Sequence, residues 1–172
     1  LFFKGMKLIY SIPDKLYYIQ DFLDYPTYKK LHHDVFKKKL INKFKKNKNS
    51  TTHLFSITEY EPIQKIKILL ENNKFYKTKI SNYEPLIYSM GDGYSLNWHN
   101  DHGYTYGITY YINRRWNPLF GGEFLFRDKN VNGSIPVVGN SIVIIKIPLD
   151  HKVTPVMKPI VPRKTIQIFV KN

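Results

Sequence analysis

Cysteine is absent from this sequence of 172 residues. Its absence excludes disulfide bonds, thiolate metal sites and a cysteine nucleophile. Any metal site in the chain must therefore be built from imidazole and carboxylate groups. Long apolar runs are also missing, since no stretch approaches the ~20 residues that a membrane helix needs. The start of the sequence carries no signal-peptide pattern, so we expect a cytoplasmic protein without a membrane partner.

Acidic residues are scarce: 13 Asp and Glu stand against 27 Lys and Arg, for a formal net charge of +14. Such a positive field attracts acidic polymers and acidic small molecules. The joint abundance of Lys, Asn, Ile and Tyr is also typical of AT-rich coding sequences. The charge alone therefore does not identify a partner.

The N-terminal part of the chain has a mixed pattern of elements. Residues 16–23 predict a strand, and Asp24 and Thr27 around Pro26 mark a helix start. Apolar residues near helical spacing predict a helix from about Tyr28 to about Phe44. A second helix is expected to begin at Pro62 and to stop at Asn72–Asn73.

From Tyr83 onward, short runs of Ile, Val, Tyr and Phe alternate with Gly, Pro and Asn turns. This pattern predicts seven short strands and an antiparallel sandwich or barrel. The expected strands are residues 84–90, 94–99, 106–112, 122–127, 141–147, 151–156 and 164–170.

The tripeptide His99-Asn100-Asp101 lies at the end of one expected strand. Residues two apart in a strand point to the same face, so His99 and Asp101 could chelate one ion. His151 is the one histidine in the C-terminal third of the sequence, and it lies in another expected strand. Two histidines and one carboxylate form a facial triad that leaves three positions of an octahedral iron open.

The last expected strand begins at Arg163. Arg163 and Thr165 share one face of this strand, and Ile166 and Ile168 share the other. An arginine that points into a small barrel is costly unless it meets an anion. The guanidinium suits a carboxylate, and the Thr165 hydroxyl could add a donor.

Four blocks of sequence in this order resemble the 2-oxoglutarate and Fe(II)-dependent dioxygenases, and most closely the prolyl 4-hydroxylases. The blocks are YSMGDGYSLNWHND at 88–101, GITYYINRRWNPLFGGEFLFRD at 107–128, GNSIVIIKIPLDHKVTPV at 139–156 and RKTIQIF at 163–169. The segment 16–31 also resembles the strand and helix with which the family's domain usually begins. Two turns are longer than the family pattern, at 157–162 and around Gly91 and Gly93.

The resemblance implies a mainly β protein with N-terminal helices and a double-stranded β-helix, or jelly-roll, core. We expect a single dioxygenase domain over 1–172, with helical support in 6–82 and the catalytic core in 83–172. Met6 is a candidate native start, and on that expectation residues 1–5 are foreign to the native chain. The implied cofactors are Fe(II), 2-oxoglutarate and O2, with ascorbate as the reductant.

The resemblance also assigns roles to individual residues. His99, Asp101 and His151 would hold the iron, and Arg163 would hold the 5-carboxylate of 2-oxoglutarate. Tyr88 and Tyr111 match tyrosines that assist carboxylate binding, with Thr165 as a further contact. Three residues are expected to contact the substrate: Tyr94, Arg115 and Trp116.

Three functions remain open from the sequence. The first is hydroxylation of prolyl residues in a peptide or protein, possible targets being proline-rich or acidic segments. The second is oxygenation of a nucleic-acid base, a nucleotide or a free amino acid, which the positive charge favours. DNA-dealkylating relatives carry a second arginine six residues after the first, where this chain has Phe169. The third is a non-catalytic jelly-roll binding module, which needs no open iron site.

Overall fold

The computed structural model describes residues 5–37, 45–46, 53–54, 60–72, 82–129 and 131–171. Two α-helices lie in this part of the chain, α1 at Tyr25–Phe36 and α2 at Glu61–Glu71. The strands are β1 Lys7–Ile12, β2 Leu16–Gln20, β3 Lys45–Lys46, β4 His53–Leu54, β5 Asn82–Met90, β6 Leu96–His99, β7 Tyr106–Tyr111, β8 Phe124–Asp128, β9 Val131–Ile135, β10 Ser141–Lys146, β11 Asp150–Val153 and β12 Arg163–Lys171. All seven strands expected after Tyr83 are present, with ends that shift by a few residues.

Helix α1 begins where its capping residue requires. The Asp24 side chain accepts a hydrogen bond from the Thr27 amide at 3.0 Å, so the helix starts at Tyr25 rather than at Tyr28. Helix α2 agrees with its prediction and ends at the cap residue Asn72.

The prediction that α1 continues to Phe44 is wrong. The helix ends at Phe36, and the Lys37 amide caps it by donating to the His33 carbonyl at 2.8 Å. Leu31 and Val35 are the last side chains that the helix buries well, and the three lysines after Phe36 offer nothing apolar to bury. Residues 38–44 lie outside the described part of the chain.

Two antiparallel sheets carry the candidate site. One has six strands in the order β1-β2-β10-β7-β12-β5, and the other has four in the order β6-β11-β8-β9. From β5 to β12 the chain passes repeatedly from one sheet to the other, which is the winding of a double-stranded β-helix. The expected jelly-roll core with N-terminal helices is therefore confirmed.

Strand β12 separates two regions of the core. Ile166 and Ile168 belong to the cluster that packs the six-stranded sheet against α1 and α2. The alternate residues Arg163 and Thr165 are fully buried on the opposite face of the strand, which is turned toward the four-stranded sheet. Helices therefore support one face of β12, and the other face of this strand carries the polar residues Arg163 and Thr165.

Within the described residues, neither helix is long and apolar enough to cross a membrane.

Candidate active site

The three residues predicted to bind a metal come together at one end of the four-stranded sheet. His151 on β11 is the cross-strand partner of His99 on β6. The Asp101 carboxylate lies between the two rings, with Oδ2 3.3 Å from His151 Nε2 and Oδ1 3.6 Å from His99 Nε2. One ligand atom from each residue lies within 4.8 Å of the others, a spacing at which all three could hold one ion.

Asp101 reaches this position by a turn rather than by strand alternation. Strand β6 ends at His99, and Asp101 has a left-handed backbone with φ of 49°. The expectation that both side chains project from one strand face is therefore wrong in detail. Aspartate tolerates this conformation better than most residues, which lets the chain reverse while the carboxylate faces the histidines.

Both histidines are oriented by backbone carbonyls. His99 Nδ1 lies 2.7 Å from the Asn97 oxygen, and His151 Nδ1 lies 2.8 Å from the Leu149 oxygen. Since a carbonyl only accepts, each Nδ1 carries a proton and donates it. Each Nε2 is then unprotonated in the neutral ring and is available as a metal ligand.

The site has a buried side and an open side. His151 is 5% exposed and stacks on Phe124 with 5.2 Å between ring centroids. The His99 and Asp101 side chains are more accessible, at 36% and 19% exposure. A metal bound here is held from the protein side and can accept further ligands from the open side, as a facial triad requires.

Arg163 forms the second part of the site. It is 0% exposed, and its guanidinium carbon lies 5.2 Å from the centroid of the Tyr111 ring. Nη1 donates to the sulfur of Met90 at 3.3 Å, whereas Nε and Nη2 meet no hydrogen-bond partner among the described residues. Burial lowers the pKa of Arg163. A buried cation with free donors calls for an anion, so the pocket fits a carboxylate.

A row of hydroxyl groups lies next to this guanidinium. Tyr88 on β5, Thr165 on β12 and Tyr111 on β7 are cross-strand neighbours. The Tyr111 hydroxyl is buried near the Arg163 guanidinium and makes no hydrogen bond of good geometry within the described part of the chain. Burial raises the pKa of Tyr111 to about 12, so at neutral pH it is a donor. The row adds uncharged donors to the same carboxylate pocket.

Tyr88 connects the carboxylate pocket to the metal ligands. Burial raises the pKa of Tyr88, and the negative charge of the nearby Asp101 raises it further. A ligand that met both Arg163 and the triad would therefore pass this ring. The donors of the two parts fit Fe(II) and a dicarboxylate that chelates it.

The residues predicted to contact substrate do not all lie together. Tyr94 and Trp116 pack against the apolar cluster around Met90, beside Tyr88. Arg115 is exposed and lines a groove of 570 Å³ that contains none of the triad residues. Its lining includes Trp116, Phe120 and Ile160. Trp116 therefore lines the groove and also packs against the apolar cluster around Met90.

The two turns that are longer than the family pattern contact each other. The Asp92 carboxylate accepts a hydrogen bond from the Lys158 amide at 2.6 Å, and the Gly93 amide donates to the Val156 carbonyl at 2.7 Å. Their extra length therefore forms one joined structure beside the strand that carries Arg163.

Gly122 and Met90 belong to the Arg163 pocket and were not predicted. Gly122 has φ of 73°, and a Cβ there would lie 2.7 Å from Cδ of Arg163. The glycine pair 121–122 indicates a tight turn from sequence, but no local signal shows that Arg163 packs on it. Met90 is a plain apolar residue at a strand end, so its sulfur contact is visible only in the structure.

Comparisons with known proteins agree with this geometry. The family model for the 2OG-Fe(II) oxygenase superfamily matches residues 82–171, which is more than half of the chain. No curated protein sequence matches significantly.

Among solved structures, a prolyl hydroxylase from Trichoplax adhaerens, in complex with a hypoxia inducible factor peptide, has a TM-score of 0.74 and 16% identity over 92% of this chain and 84% of that one. A Pseudomonas putida prolyl-4-hydroxylase has a TM-score of 0.69 and 13% identity over 92% and 93%. A 2OG-Fe(II) oxygenase family oxidoreductase from Burkholderia pseudomallei has a TM-score of 0.64 and 12% identity over 97% and 84%. The chain belongs to the 2OG-Fe(II) oxygenase superfamily.

Proposed function

We propose that this chain hydroxylates prolyl residues in a peptide or protein substrate. Membership of the superfamily makes it a dioxygenase that depends on Fe(II), 2-oxoglutarate and O2. When bound, the iron and 2-oxoglutarate together activate O2, so that a substrate C–H becomes C–OH while 2-oxoglutarate becomes succinate and CO2.

In this proposal His99, Asp101 and His151 hold the iron. The support is the approach of the Asp101 carboxylate to both Nε2 atoms, together with the hydrogen bond that each Nδ1–H donates to a backbone carbonyl. The triad contributes one negative charge, and the buried side chain of His151 fixes one ligand against the protein.

Arg163 holds the distal carboxylate of 2-oxoglutarate, with Tyr88, Tyr111 and Thr165 as neighbouring hydroxyl groups. The observation that carries this assignment is the fully buried guanidinium, whose Nε and Nη2 lack a partner among the described residues. Thr165, on the same strand face as Arg163, pairs with Tyr88, and Tyr88 lies near Asp101. The co-substrate would therefore run from Arg163 past Tyr88 to the metal ligands.

The prolyl substrate is supported by the resemblance of the 107–128 block and by fold neighbours that are described as prolyl hydroxylases. Proline-rich segments are stiff and extended, so binding them costs little ordering entropy. Aromatic side chains are the usual walls of grooves that bind such segments. Tyr94 and Trp116, which pack beside Tyr88, are the aromatic residues in position to form one wall.

Arg115 selects for acidic residues that flank the proline. It lies exposed in a groove whose lining contains two arginines, apolar residues and no carboxylate. A peptide that runs from the metal site past Trp116 would bring a flanking residue to this groove. The attraction between exposed charges should weaken as salt is added.

The test is mass spectrometry of proline-containing peptides after incubation with the protein, Fe(II), 2-oxoglutarate and ascorbate. Three matched peptides carry acidic, neutral or basic residues beside the same proline. We expect a hydroxylated proline, with the lowest KM for the acidic peptide at low salt. Turnover of a nucleotide, a nucleic acid or a free amino acid, with no product from a broad peptide set, would refute the prolyl assignment.

A charge-reversal variant tests the role of Arg115. Arg115→Glu should raise the KM of the acidic peptide and leave kcat and the KM of the neutral peptide unchanged. Lys29→Glu is the matched control, since it makes the same change of charge at an exposed residue of α1. Equal effects of the two variants would show that net charge, and not Arg115, attracts the peptide.

A further inference from the structure

Asn113 is a buried polar residue that the proposed chemistry does not use. It lies just after β7 and is 1% exposed. Its Nδ2 donates to the Pro162 carbonyl at 3.0 Å, and its Oδ1 accepts from the Lys164 amide at 2.7 Å. The two backbone groups that Asn113 binds are therefore those immediately before and after Arg163.

The backbone around Arg163 needs these hydrogen bonds because Arg163 is the first residue of β12. On its N-terminal side the chain leaves the sheet for the long turn 157–162, where Ile160 is 89% exposed. Strand ends with few buried contacts open more readily than strand centres. The direction of the Arg163 side chain follows from its backbone, so fraying here would move the guanidinium.

We infer that Asn113 is a positioning residue for the co-substrate, which acts through Arg163. It bridges the backbone on both sides of the arginine and holds the guanidinium where a carboxylate can meet it. In a well-oriented active site, a misplacement of about 1 Å can lower the reaction rate ~100-fold. This inference rests on the proposed role of Arg163 in binding 2-oxoglutarate.

Asn140 provides a matched control. It is also a buried asparagine that bridges backbone groups, since Oδ1 accepts from the Leu23 amide at 2.9 Å and Nδ2 donates to the Leu23 carbonyl at 2.8 Å. Its bridge lies at the start of α1 and does not involve Arg163. Its φ of 60° suits glycine, so Asn140→Gly removes the bridge without backbone strain.

The experiment is calorimetric titration of the Mn(II)-loaded protein with 2-oxoglutarate in the absence of O2. We expect Asn113→Ala to raise the Kd for 2-oxoglutarate ~10-fold, at the low end of the ~10- to 150-fold rise expected for Arg163→Ala. Mn(II) affinity should stay at the wild-type value. Asn140→Gly should lower the melting temperature and leave the Kd for 2-oxoglutarate unchanged.

The double variant separates positioning from general destabilisation. If Asn113 acts through Arg163, Asn113→Ala adds no further loss of affinity once Arg163 is alanine. Losses that multiply, or a wild-type Kd in Asn113→Ala, overturn the inference. If the Asn113→Ala variant does not fold, Asn113→Ser takes its place. A serine side chain is too short to bind both backbone groups, so this variant also removes the bridge.

The same titrations distinguish the two proposals. A loss of affinity in Arg163→Ala, together with a wild-type Kd in Asn113→Ala, leaves the proposed function standing and removes only the role of Asn113. A wild-type Kd in Arg163→Ala refutes the proposed role of Arg163 in binding 2-oxoglutarate, and with it the role of Asn113.

Discussion

Replacement of Gly122 by alanine tests how the carboxylate pocket packs around Arg163. Gly122 has φ of 73°, and a Cβ there would meet Arg163 Cδ at 2.7 Å, with Arg163 Nε and Val156 Cγ2 both at 3.3 Å. Arg163 is fully buried, so its side chain has little room to give way. Gly122→Ala should therefore both strain the backbone and displace the guanidinium.

Gly93→Ala isolates the first of these effects. Gly93 has the same φ of 73°, but a Cβ at this position meets nothing within 4 Å. The backbone strain of alanine at such an angle costs about 1–2 kcal/mol in either variant. Overpacking against a buried side chain adds about 1–3 kcal/mol in Gly122→Ala alone.

These free energies convert to shifts in melting temperature. At about 2–4 °C per kcal/mol for a chain of this size, Gly93→Ala should lose about 2–8 °C and Gly122→Ala about 4–20 °C. The sharper comparison is the calorimetric Kd for 2-oxoglutarate, which should rise in Gly122→Ala and stay unchanged in Gly93→Ala. Equal Kd values for the two variants would refute the packing of Gly122 against a functional arginine.

Three further predictions concern the triad, the arginine and the tyrosines. His99→Ala should abolish turnover and weaken Mn(II) binding more than the ~10–100-fold typical of changes behind a ligand; wild-type 2-oxoglutarate decarboxylation would contradict this. Arg163→Lys should bind 2-oxoglutarate with an affinity between those of wild type and Arg163→Ala, by calorimetry, because it keeps the charge and loses the fork. Burial raises the pKa of Tyr111 to about 12, so its stabilising contribution is complete below pH ~10 and is lost as the pH rises to about 12. Urea unfolding at alkaline pH should therefore show a shallower loss of stability in Tyr111→Phe than in wild type.

The three candidate metal-binding residues, which the structure brings together, could be singled out from the sequence because few alternatives existed. Without cysteine, a metal site needs histidine and carboxylate, and His99, Asp101 and His151 were the combination at a plausible spacing. Strand periodicity placed Arg163 and Thr165 on one face, and both are fully buried. The left-handed turn at Asp101 could not be predicted, because aspartate adopts such a backbone only in particular contexts.

Strands β1 and β9 were missed for a physical reason. Both lie at sheet edges, and β1 has no buried residue while β9 buries only Ile135. A strand without a buried face has no alternation of apolar and polar residues, which is the signal that sequence analysis reads. The roles of Asn113 and Gly122 were invisible for another reason, since each depends on contact with a distant segment of the chain.

The separation of the candidate site between the two sheets has a mechanical consequence. His99 and His151 belong to the four-stranded sheet, with Asp101 just beyond it, whereas Arg163 belongs to the six-stranded sheet. A co-substrate that contacts Arg163 at one end and the metal at the other would link the two sheets and restrict their relative motion. Metal alone, or a monocarboxylate that reaches only Arg163, would not link the two sheets. Amide hydrogen exchange should therefore slow in β6, β11 and β12 together only when the metal and 2-oxoglutarate are both bound.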